Sequence, residues 1–237
     1  MANYRTRWKN TQDTKVMHYN HFDRQLTEKE INKGEHRKFV GSFWHEIGKL
    51  QLDFLISQGL KPNHRLLDIG CGSLRGGLHF INYLNQSNYT GIDGNESLLK
   101  AARFELELAN QGSKNPNLIL DCDFNHKVWG NGFDYIISIS LFTHLPFYLV
   151  SKCLKGVSKC ISPNGKFYSS FFRCKKGQYN NSSIQSKYLI NTFPNRDPYH
   201  QTFDMFLPVS HQNGMNVEYI GDWLHPRGQQ MLLFTKI

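Results

Sequence analysis

Residues 66–77 read LLDIGCGSLRGG, and this stretch sets the architecture expected for the whole chain. Aliphatic residues and one acid, Asp68, lead into a turn rich in glycine. Glycine adopts backbone conformations that other residues avoid, and its missing Cβ lets a ligand approach the main chain. The apolar segment GLHFINYL follows directly. The pattern predicts a buried strand, a tight ligand-binding turn and a helix.

Strand-like and helix-like segments alternate through the rest of the chain. After HRLLDIG, strands are predicted at NYTGID, NLILDCD, FDYIISIS, KFYSSFF, MNVEYIG and QQMLLFTKI. Amphipathic patterns between most of them predict helices, including one that begins near Ser42 and ends near Gly59. This alternation predicts an α/β fold, with a doubly wound, seven-stranded, mostly parallel sheet and an N-terminal helical extension.

Composition divides the chain into three parts. Residues 1–40 are polar and basic, and we interpret them as an N-terminal extension or lid. Residues 41–237 are interpreted as one domain. Within it, residues 174–205 interrupt the alternation with many Asn, Ser, Lys and Pro residues, which predicts an insertion on the substrate side of the sheet.

Charge and cysteine content narrow the classes of function. The formal net charge of +9 favours an anionic partner, with simple solubility as the alternative. The basic residues are scattered, so nucleic acid is a less favoured partner. The five cysteines form no Cys-x-x-Cys pair, which argues against a metal site and favours a reducing cytoplasm. No apolar run is long enough to span a membrane.

The acids around the glycine turn indicate which ligand it holds. Asp93 ends the second predicted strand, where a carboxylate can accept both hydroxyls of a ribose. The glycine spacing is Gly-x-Gly-x-x-x-Gly, not the Gly-x-Gly-x-x-Gly of pyrophosphate binders, which argues against a nicotinamide-dependent dehydrogenase. Asp68 would repel a pyrophosphate but suits an ammonium or sulfonium group.

At these residues the chain resembles the class I S-adenosylmethionine-dependent methyltransferases, which have a Rossmann-like fold. LLDIGCGSLRGG and YTGID resemble the family's first two motifs. LDCDF, FDYIISISLFTHL and ISPNGKFYSSFF resemble those of the third, fourth and fifth strands. The flanks VGSFWHEIGKLQ and IGDWLHPRGQQM are similar to bacterial members linked to glycan and natural-product pathways, which implies a role such as polysaccharide biosynthesis.

The resemblance implies S-adenosylmethionine as the cofactor and assigns residues to it. Asp121 competes with Asp123 for the adenine contact, and Arg75 either reaches the cofactor carboxylate or points to solvent. The implied cofactor-binding residues are Asp68, Gly70, Cys71, Gly72, Ser73, Arg75, Asp93, Gly94, Asn95, Asp123, Phe124, Ser138 and Ser140.

Transfer to a hydroxyl requires a base, and histidine suits that task near neutral pH. We rank His200 first and His225 second, with His144 as a third candidate that could equally cap or pack a helix. His211, His18, His21 and His36 have weaker claims, and Asp197 or Asp222 could orient a base. Basic side chains expected to rim the carboxyl edge are Arg173, Lys175, Lys176, Arg196 and Arg227. Side chains expected to cover the cofactor, or in part to belong to the core, are Trp8, Arg37, Phe43 and Trp44.

Taken together, the residues and the resemblance predict O-methylation of a small-molecule or glycan intermediate, such as an anionic sugar phosphate, by a monomer or homodimer. Methylation of RNA or protein is the alternative, although SLFTHLP stands where amino-methylating nucleic-acid enzymes usually carry Asn/Asp-Pro-Pro-aromatic. A catalytically inactive cofactor-binding protein is a further alternative.

Overall fold

The computed structural model describes residues 24–185 and 190–237. The helices in these ranges include an N-terminal pair before the sheet, as the sequence predicts. The helices are α1 (Glu28–Asn32), α2 (Glu35–Phe39), α3 (Trp44–Ser57), α4 (Gly77–Tyr83), α5 (Glu96–Leu108), α6 (His126–Trp129), α7 (Phe147–Cys160) and α8 (Phe203–Gln212). The strands are β1 (Leu66–Ile69), β2 (Tyr89–Asp93), β3 (Asn117–Leu120), β4 (Phe133–Ser138), β5 (Ile161–Arg173), β6 (Ser183–Gln185), β7 (Ile190–Thr192), β8 (His200–Gln201), β9 (Met215–Asp222) and β10 (Gln230–Lys236).

The strands assemble into one mostly parallel sheet flanked by helices. Its order is β3-β2-β1-β4-β5-β10-β9, in which β10 runs antiparallel to both neighbours and the first five strands are parallel. This confirms the predicted α/β fold with its doubly wound, seven-stranded, mostly parallel sheet. A short eighth strand, β8, was not predicted, and it pairs with the end of β5.

The core lies on both faces of the sheet because successive strand residues point to opposite sides. Ile136 of β4 and Phe167 of β5 pack on one face. Their neighbours Ile137 and Tyr168 pack on the other. All four are fully buried. Each such aliphatic or aromatic side chain contributes about 1.5–3 kcal/mol of burial, so the central strands fix the sheet rigidly.

The direction of chain progression reverses between β1 and β4, which are neighbours in the sheet. At such a switch point the loops after the strands separate and leave a crevice at the carboxyl edge. The loops after β1, β2 and β4 carry most of the predicted site residues, so the topology brings them to one edge.

In the described part of residues 174–205, β6 pairs antiparallel with β7, and β8 follows. Regular pairing was not predicted here, because the short polar strands carry no apolar alternation. The Tyr199 backbone N–H donates to the Thr143 carbonyl at 2.6 Å, and the Cys174 N–H donates to the Gln201 carbonyl at 3.0 Å. These bonds attach the segment to the loop after β4 and to the end of β5.

Several predicted boundaries differ from the observed ones, among them the start of β5, which lies at Ile161 and not at Lys166. Helix α3 begins at Trp44, because Ser42 and Phe43 both adopt left-handed φ angles, of 58° and 49°. Strand β3 ends at Leu120, because the next residue, Asp121, uses its side chain to hold the following turn. No helix in the described ranges has the length and apolar character that crossing a bilayer requires.

Candidate active site

Asp93 lies at the end of β2, and its side chain connects the loops that follow β1 and β2. Its carboxylate accepts the Gly72 N–H at 2.8 Å and the Asn95 N–H at 2.8 Å. The residue is 7 % exposed. Burial raises the pKa of this carboxyl to about 6, although the backbone hydrogen bonds favour the ionised form. Asp93 therefore presents a preorganised acceptor at the edge of the crevice.

Asp68 stands on the neighbouring strand, in register with Gly91 of β2. Its Oδ2 accepts the Tyr89 hydroxyl at 2.8 Å. Burial raises the pKa of Asp68 to about 7, against the opposing effect of the hydrogen bond from Tyr89. The sequence analysis missed Tyr89, since a tyrosine that opens a strand is ordinarily a packing residue. A cationic ligand nearby would favour the ionised form of the Asp68 carboxyl.

The glycine turn between these acids requires residues without a Cβ. Gly70 and Gly72 have positive φ angles of 79° and 55°. A Cβ on Gly70 would lie 3.2 Å from Leu141, and one on Gly72 would lie 3.1 Å from Val40. Both side chains come from segments that border the crevice. The turn is thus a close-walled cradle between two carboxylates, which fits a nucleoside that carries a positive charge.

Cys71 and Ser73 are buried within the turn. The Cys71 thiol is nonreactive, because burial followed by the charges of Asp93 and Asp68 raises its pKa well above the ordinary value. The Ser73 hydroxyl is buried without a hydrogen-bond partner among the described residues. Both side chains thus lie inside the loop.

Arg75 does not point to solvent, and that alternative in the sequence analysis is wrong. Its side chain folds inward, leaving the residue 8 % exposed. Nη1 donates to the Val40 carbonyl at 2.8 Å and to the Ser42 carbonyl at 3.1 Å. Arg75 therefore attaches the segment before α3 to the glycine turn.

Asn95 is the N-cap of α5, and its Oδ1 accepts hydrogen bonds from Ser97 and Leu98. Its Nδ2 donates to the Arg24 carbonyl at 2.9 Å. The preceding residue, Gly94, packs closely on the loop after β3, since a Cβ on it would lie 3.2 Å from the Cys122 Cβ. The side chain of Asn95 thus organises the loop after β2 and the N-terminal segment.

The acids after β3 have different surroundings. Asp121 accepts the backbone N–H groups of Asp123 and Asn125 at 2.9 and 2.7 Å, and the Trp129 indole N–H at 2.6 Å. The Asp123 side chain is 39 % exposed, with Lys152 Nζ 3.5 Å from its Oδ1. Since Asp121 is committed to the turn, the geometry favours Asp123 over Asp121 for a ligand contact.

Phe124 follows in a left-handed conformation, with φ 53°. Its ring meets Trp129 edge to face, with centroids 6.5 Å apart. It is partly buried against the core cluster that includes Trp129. The strained backbone holds the ring between this cluster and the loop that carries Asp123.

A hydrogen-bond network of three side chains closes the end of β4. The Ser140 N–H donates to the Ser170 hydroxyl at 2.8 Å, and that hydroxyl donates to Gln229 Oε1 at 2.6 Å. Gln229 Nε2 donates to the Ser140 hydroxyl at 3.0 Å. The Ser138 hydroxyl is buried with no partner in the described ranges. Ser170 and Gln229 were missed by the sequence analysis.

A sequence signal for Gln229 exists in the loop between β9 and β10. In WLHPRGQ, residues 223–229, the buried Trp223 and His225 flank Leu224, which is 80 % exposed, and the buried Gln229 follows four residues after His225. When polar side chains occupy the buried positions of an alternating pattern, the region that they face is polar. Here that region is the carboxyl edge of the sheet.

His200, the first-ranked base, has the surroundings of a structural residue. It is 1 % exposed. Nε2 donates to the Tyr179 carbonyl at 2.9 Å, and Nδ1 lies 2.8 Å from the Thr192 hydroxyl. Because both ring nitrogens are engaged inside residues 174–205, this geometry argues against His200 as a base that meets an acceptor.

His225 is also a poor base. Burial, followed by the charges of Arg75 and Arg227, lowers its pKa to about 3. Its Nδ1 accepts the Arg227 N–H at 3.2 Å, and its ring stacks on Trp223 at 5.2 Å. A histidine this acidic stays neutral and binds protons too weakly to serve near neutral pH.

His144 is the candidate that remains accessible. It follows β4, and its Nδ1 lies 2.7 Å from Asp197 Oδ1. The side chain of His144 is 30 % exposed and that of Asp197 is 13 % exposed. The structure thus brings the third-ranked histidine together with one of the two acids proposed to orient a base.

The N-terminal segment docks on α5 through a buried carboxylate. Glu105 lies 2.6 Å from His36 Nε2, and accepts Arg37 Nε at 2.6 Å and Arg37 Nη2 at 2.8 Å. The Arg37 guanidinium also lies over the Trp44 ring. Arg37 and Trp44 thus hold the segment in place. Trp8, His18 and His21 lie outside the described residues.

A family model matches the part of the chain that carries this site. Residues 67–167 match the family model described as "Methyltransferase domain". This range runs from the first strand to the fifth and contains both Asp68 and Asp93.

Several solved structures share the fold. Magnesium protoporphyrin IX methyltransferase from Synechocystis PCC 6803 with bound SAM has a TM-score of 0.58 at 14 % identity, over 91 % of this chain and 86 % of that one. An S-adenosylmethionine-dependent methyltransferase from Clostridium acetobutylicum ATCC 824 has a TM-score of 0.61 at 13 % identity, over 86 % and 98 %. A putative O-methyltransferase from Nostoc punctiforme PCC 73102 has a TM-score of 0.59 at 18 % identity, over 81 % and 60 %.

The chain therefore carries a methyltransferase domain with the fold of the S-adenosylmethionine-dependent methyltransferases, and S-adenosylmethionine is its cofactor. The carboxylate-flanked glycine cradle suits this cofactor, because Asp68 and Asp93 offer acceptors to a cationic nucleoside. Within the described ranges, no three His, Cys, Asp or Glu side chains are grouped to hold a metal ion.

Proposed function

We propose that this methyltransferase transfers a methyl group to a hydroxyl oxygen of a small-molecule acceptor, with His144 as the general base and Asp197 as its positioning residue. The observation that carries this proposal is the 2.7 Å contact between His144 Nδ1 and Asp197 Oδ1 at the carboxyl edge of β4. Methyl transfer to a hydroxyl must dispose of a proton, and a histidine oriented by a carboxylate suits that task.

The chemistry divides between cofactor and protein. When bound, S-adenosylmethionine supplies a methyl group that its sulfonium has already activated. The protein orients the acceptor and takes up its proton. A carboxylate at Nδ1 favours the tautomer with the proton on Nδ1, so that Nε2 carries the lone pair. Asp197 in this way selects the nitrogen that acts as the base.

Residues 174–205 supply the acceptor side of the site in this proposal. They contribute Asp197, and Tyr199 bonds the Thr143 carbonyl next to His144. A segment that carries the positioning residue and is attached beside the base is well placed to select the acceptor. We therefore propose that residues 41–237 form the methyltransferase domain, with 174–205 as its substrate-side insertion and 1–40 as an extension over it.

The basic residues near this edge give limited support for an anionic acceptor. Arg173 lies over the Tyr219 ring at 4.4 Å, and Arg196 lies over the Phe193 ring at 3.8 Å. Lys176 pairs with Asp204 at 2.9 Å. These contacts keep the three cationic side chains near residues 174–205 but do not arrange them into an anion-binding site. On the basis of the formal net charge of +9, we propose an anionic sugar or sugar-phosphate acceptor and a role in polysaccharide biosynthesis.

Cellular setting and assembly are proposed on similar grounds. All five cysteines are free thiols, which supports a reducing cytoplasm. A monomer or homodimer remains the proposed state.

The test is a methyl-transfer assay with radiolabelled cofactor and separate pools of sugar nucleotides, sugar phosphates, phenolic metabolites and RNA. We expect turnover on a small-molecule pool, with the label in an alkali-stable ether. His144→Ala should lower kcat about 10²- to 10⁴-fold. Asp197→Asn should lower it less and shift the pH profile. His211→Ala, on the surface of α8, is the matched control.

Three outcomes contradict the proposal. Turnover on RNA alone would favour the nucleic-acid alternative. An unchanged kcat in His144→Ala on the identified acceptor would remove His144 as the base. Tight binding of S-adenosylhomocysteine without turnover on any pool would favour a catalytically inactive cofactor-binding protein.

A further inference from the structure

The hydrogen-bond network at the end of β4 has fixed donor and acceptor directions. The Ser140 backbone N–H can only donate, so the Ser170 hydroxyl accepts it, at 2.8 Å. The Ser170 proton is then directed to Gln229, 2.6 Å away, and the atom that receives it is the carbonyl Oε1. The Gln229 amide therefore has one orientation, with Nε2 turned to the Ser140 hydroxyl at 3.0 Å.

This orientation makes the Ser140 hydroxyl a donor to a ligand. Its oxygen accepts the Nε2 proton of Gln229. Its own proton has one partner in the network, Gln229 Oε1 at 3.2 Å, which is the longest of these contacts. Oε1 already accepts the Ser170 proton at 2.6 Å. A ligand oxygen can therefore take the Ser140 proton without leaving a group of the network unpaired.

The Ser140 hydroxyl belongs to the crevice at the carboxyl edge of the sheet. Ser170 and Gln229 are buried, whereas Ser140 is partly exposed. Its left-handed φ of 64° turns the chain out of β4. A Cβ on Gly70 would lie 3.2 Å from the next residue, Leu141. Ser140 thus stands beside the glycine turn, at the start of the loop that leads to the proposed base.

That loop places Ser140 close to His144. The Thr143 hydroxyl donates to the Ser140 carbonyl at 2.7 Å, and the His144 N–H donates to the Leu141 carbonyl at 2.9 Å. These bonds close one turn, so the local backbone holds Ser140 and His144 near each other. In the proposed function, His144 takes the proton of the hydroxyl that is methylated. The Ser140 proton is then available to a different oxygen of the same acceptor.

We propose that Ser140 donates a hydrogen bond to a second oxygen of the acceptor, next to the hydroxyl that becomes methylated, and that Gln229 and Ser170 are the positioning residues that orient this donor. The acceptor class is accordingly a vicinal diol, as in a sugar ring or a catechol. This inference rests on the proposed function and names its acceptor more closely. The family resemblance places Ser140 at the cofactor, whereas the directions of the hydrogen bonds assign its proton to the acceptor.

An acceptor with a single hydroxyl would leave the oriented donor without its ligand partner. A site built to bond a substrate hydroxyl rejects the analogue that lacks it, by about 10⁴-fold or more in an enclosed site. Ser140 is partly exposed, so water replaces part of the missing bond. We therefore expect a preference for the diol of about 10- to 100-fold in kcat/KM.

The test measures kcat and KM on the full chain with radiolabelled S-adenosylmethionine and matched acceptors. The probes are catechol with phenol, and glucose 6-phosphate and UDP-glucose, each with its monodeoxy analogues. In a series that turns over, the analogue that keeps the methylated hydroxyl but lacks its neighbour should lose the factor given above. Ser140→Ala should lower kcat/KM for the diol to the level of that analogue, and should leave the analogue itself within about twofold.

Gln229→Glu tests the direction of the bonds. Glutamate has the size of glutamine, but its carboxylate has no proton to give, so the Ser140 hydroxyl donates to it instead. In the folded variant the diol preference should fall below about threefold. A purely structural role of Gln229 would lower kcat/KM equally for both members of a pair. Gln212→Glu, at the exposed end of α8, is the matched control and should keep the preference.

The affinity for the cofactor product separates the two assignments of Ser140. Calorimetry with S-adenosylhomocysteine should give a Kd for Ser140→Ala within about twofold of the wild type. A Kd raised about tenfold or more, with an unchanged diol preference, would return Ser140 to the cofactor and overturn the inference. Equal kcat/KM for both members of each pair would also overturn it, while leaving methyl transfer intact. The absence of labelled product in every series would contradict the proposed function itself, and this inference with it.

Discussion

Asp93 accepts a hydrogen bond from the backbone N–H of Gly72 at 2.8 Å. This bond fixes the glycine turn after β1 to the end of β2, across the parallel pair in which Ile69 is in register with Ile92. A buried carboxylate that already accepts backbone donors is oriented before any ligand arrives, so little reorganisation is needed on binding. Asp93 thus shapes the turn, and we propose that it also accepts the hydroxyls of the cofactor ribose.

Replacing Asp93 should weaken cofactor binding strongly. Asp93→Asn removes a charged acceptor at the ribose position and leaves only one acceptor oxygen for two backbone donors. Loss of hydrogen bonds to a charged group of about 1.5–3 kcal/mol predicts a Kd for S-adenosylhomocysteine about 10- to 100-fold higher by titration calorimetry.

The control for this variant is Asp53→Asn, at an exposed acid that pairs with Lys49 on α3. It should bind the ligand as the wild type does. An Asp93→Asn protein that is folded and binds with unchanged affinity would place the ribose elsewhere.

Cofactor affinity should depend on pH through Asp68. Burial raises the pKa of this carboxyl to about 7, and a cationic ligand favours the ionised carboxyl, so binding lowers that pKa and releases a proton. Affinity for S-adenosylmethionine therefore reaches its maximum above about pH 7. It decreases below that pH by up to about tenfold per pH unit, the limit for one titrating group.

Calorimetry across pH 5.5 to 8.5, in buffers of differing ionisation enthalpy, measures both the affinity and the released proton. In Asp68→Asn the affinity should be lower and its dependence near pH 7 should disappear, leaving the weaker effect of Asp93 near pH 6. An identical slope in wild type and variant would exclude Asp68 as the titrating group.

Docking of the N-terminal segment should depend on Glu105. Glu105→Gln breaks a pair that joins the fully buried His36 to a carboxylate 2 % exposed. Breaking such a buried pair costs about 3 kcal/mol of stability, which is the low end of the usual range because Arg37 is 40 % exposed. This loss lowers the Tm by about 6–12 °C. Glu107→Gln, at an exposed position of the same helix, should leave the Tm unchanged.

The pH dependence of this effect has a definite sign. Burial raises the pKa of Glu105, but the hydrogen bonds from His36 and Arg37 outweigh it and lower the pKa to about 2. The stabilisation is therefore complete above the unfolded value of 4.5 and is lost as the pH falls towards 2. The Tm difference between wild type and Glu105→Gln should shrink over that interval. A difference that stays constant would contradict the ion-pair explanation.

His200 should prove structural. His200→Ala removes the bonds to Tyr179 and Thr192 within residues 174–205, at a cost of about 1–3 kcal/mol and a fall in Tm of about 2–12 °C. Turnover per folded molecule should stay within about threefold of the wild type, since loss of a base would cost about 10²- to 10⁴-fold. A hundredfold loss at unchanged Tm would restore His200 as the base.

The order of strands and helices could be predicted from the sequence, because buried strands such as β4 carry continuous aliphatic runs and the helices carry apolar residues at helical spacing. The positions of Asp68 and Asp93 followed from the strand ends. The surroundings of each side chain did not. The Ser140–Gln229 contact joins residues 89 positions apart, and no local pattern records such a pairing. The burial of His200 left no signal in the sequence, because the short strands that surround it carry no apolar alternation.

The most direct test of the carboxylate-flanked cofactor site is a crystal structure of the full chain with S-adenosylhomocysteine. We expect the ribose hydroxyls within hydrogen-bond distance of Asp93, the adenine near Asp123 and the amino-acid end beside Asp68. At saturating ligand, density that is absent from the crevice between the glycine turn and Asp93, or that lies elsewhere on the molecule, would contradict the assignment.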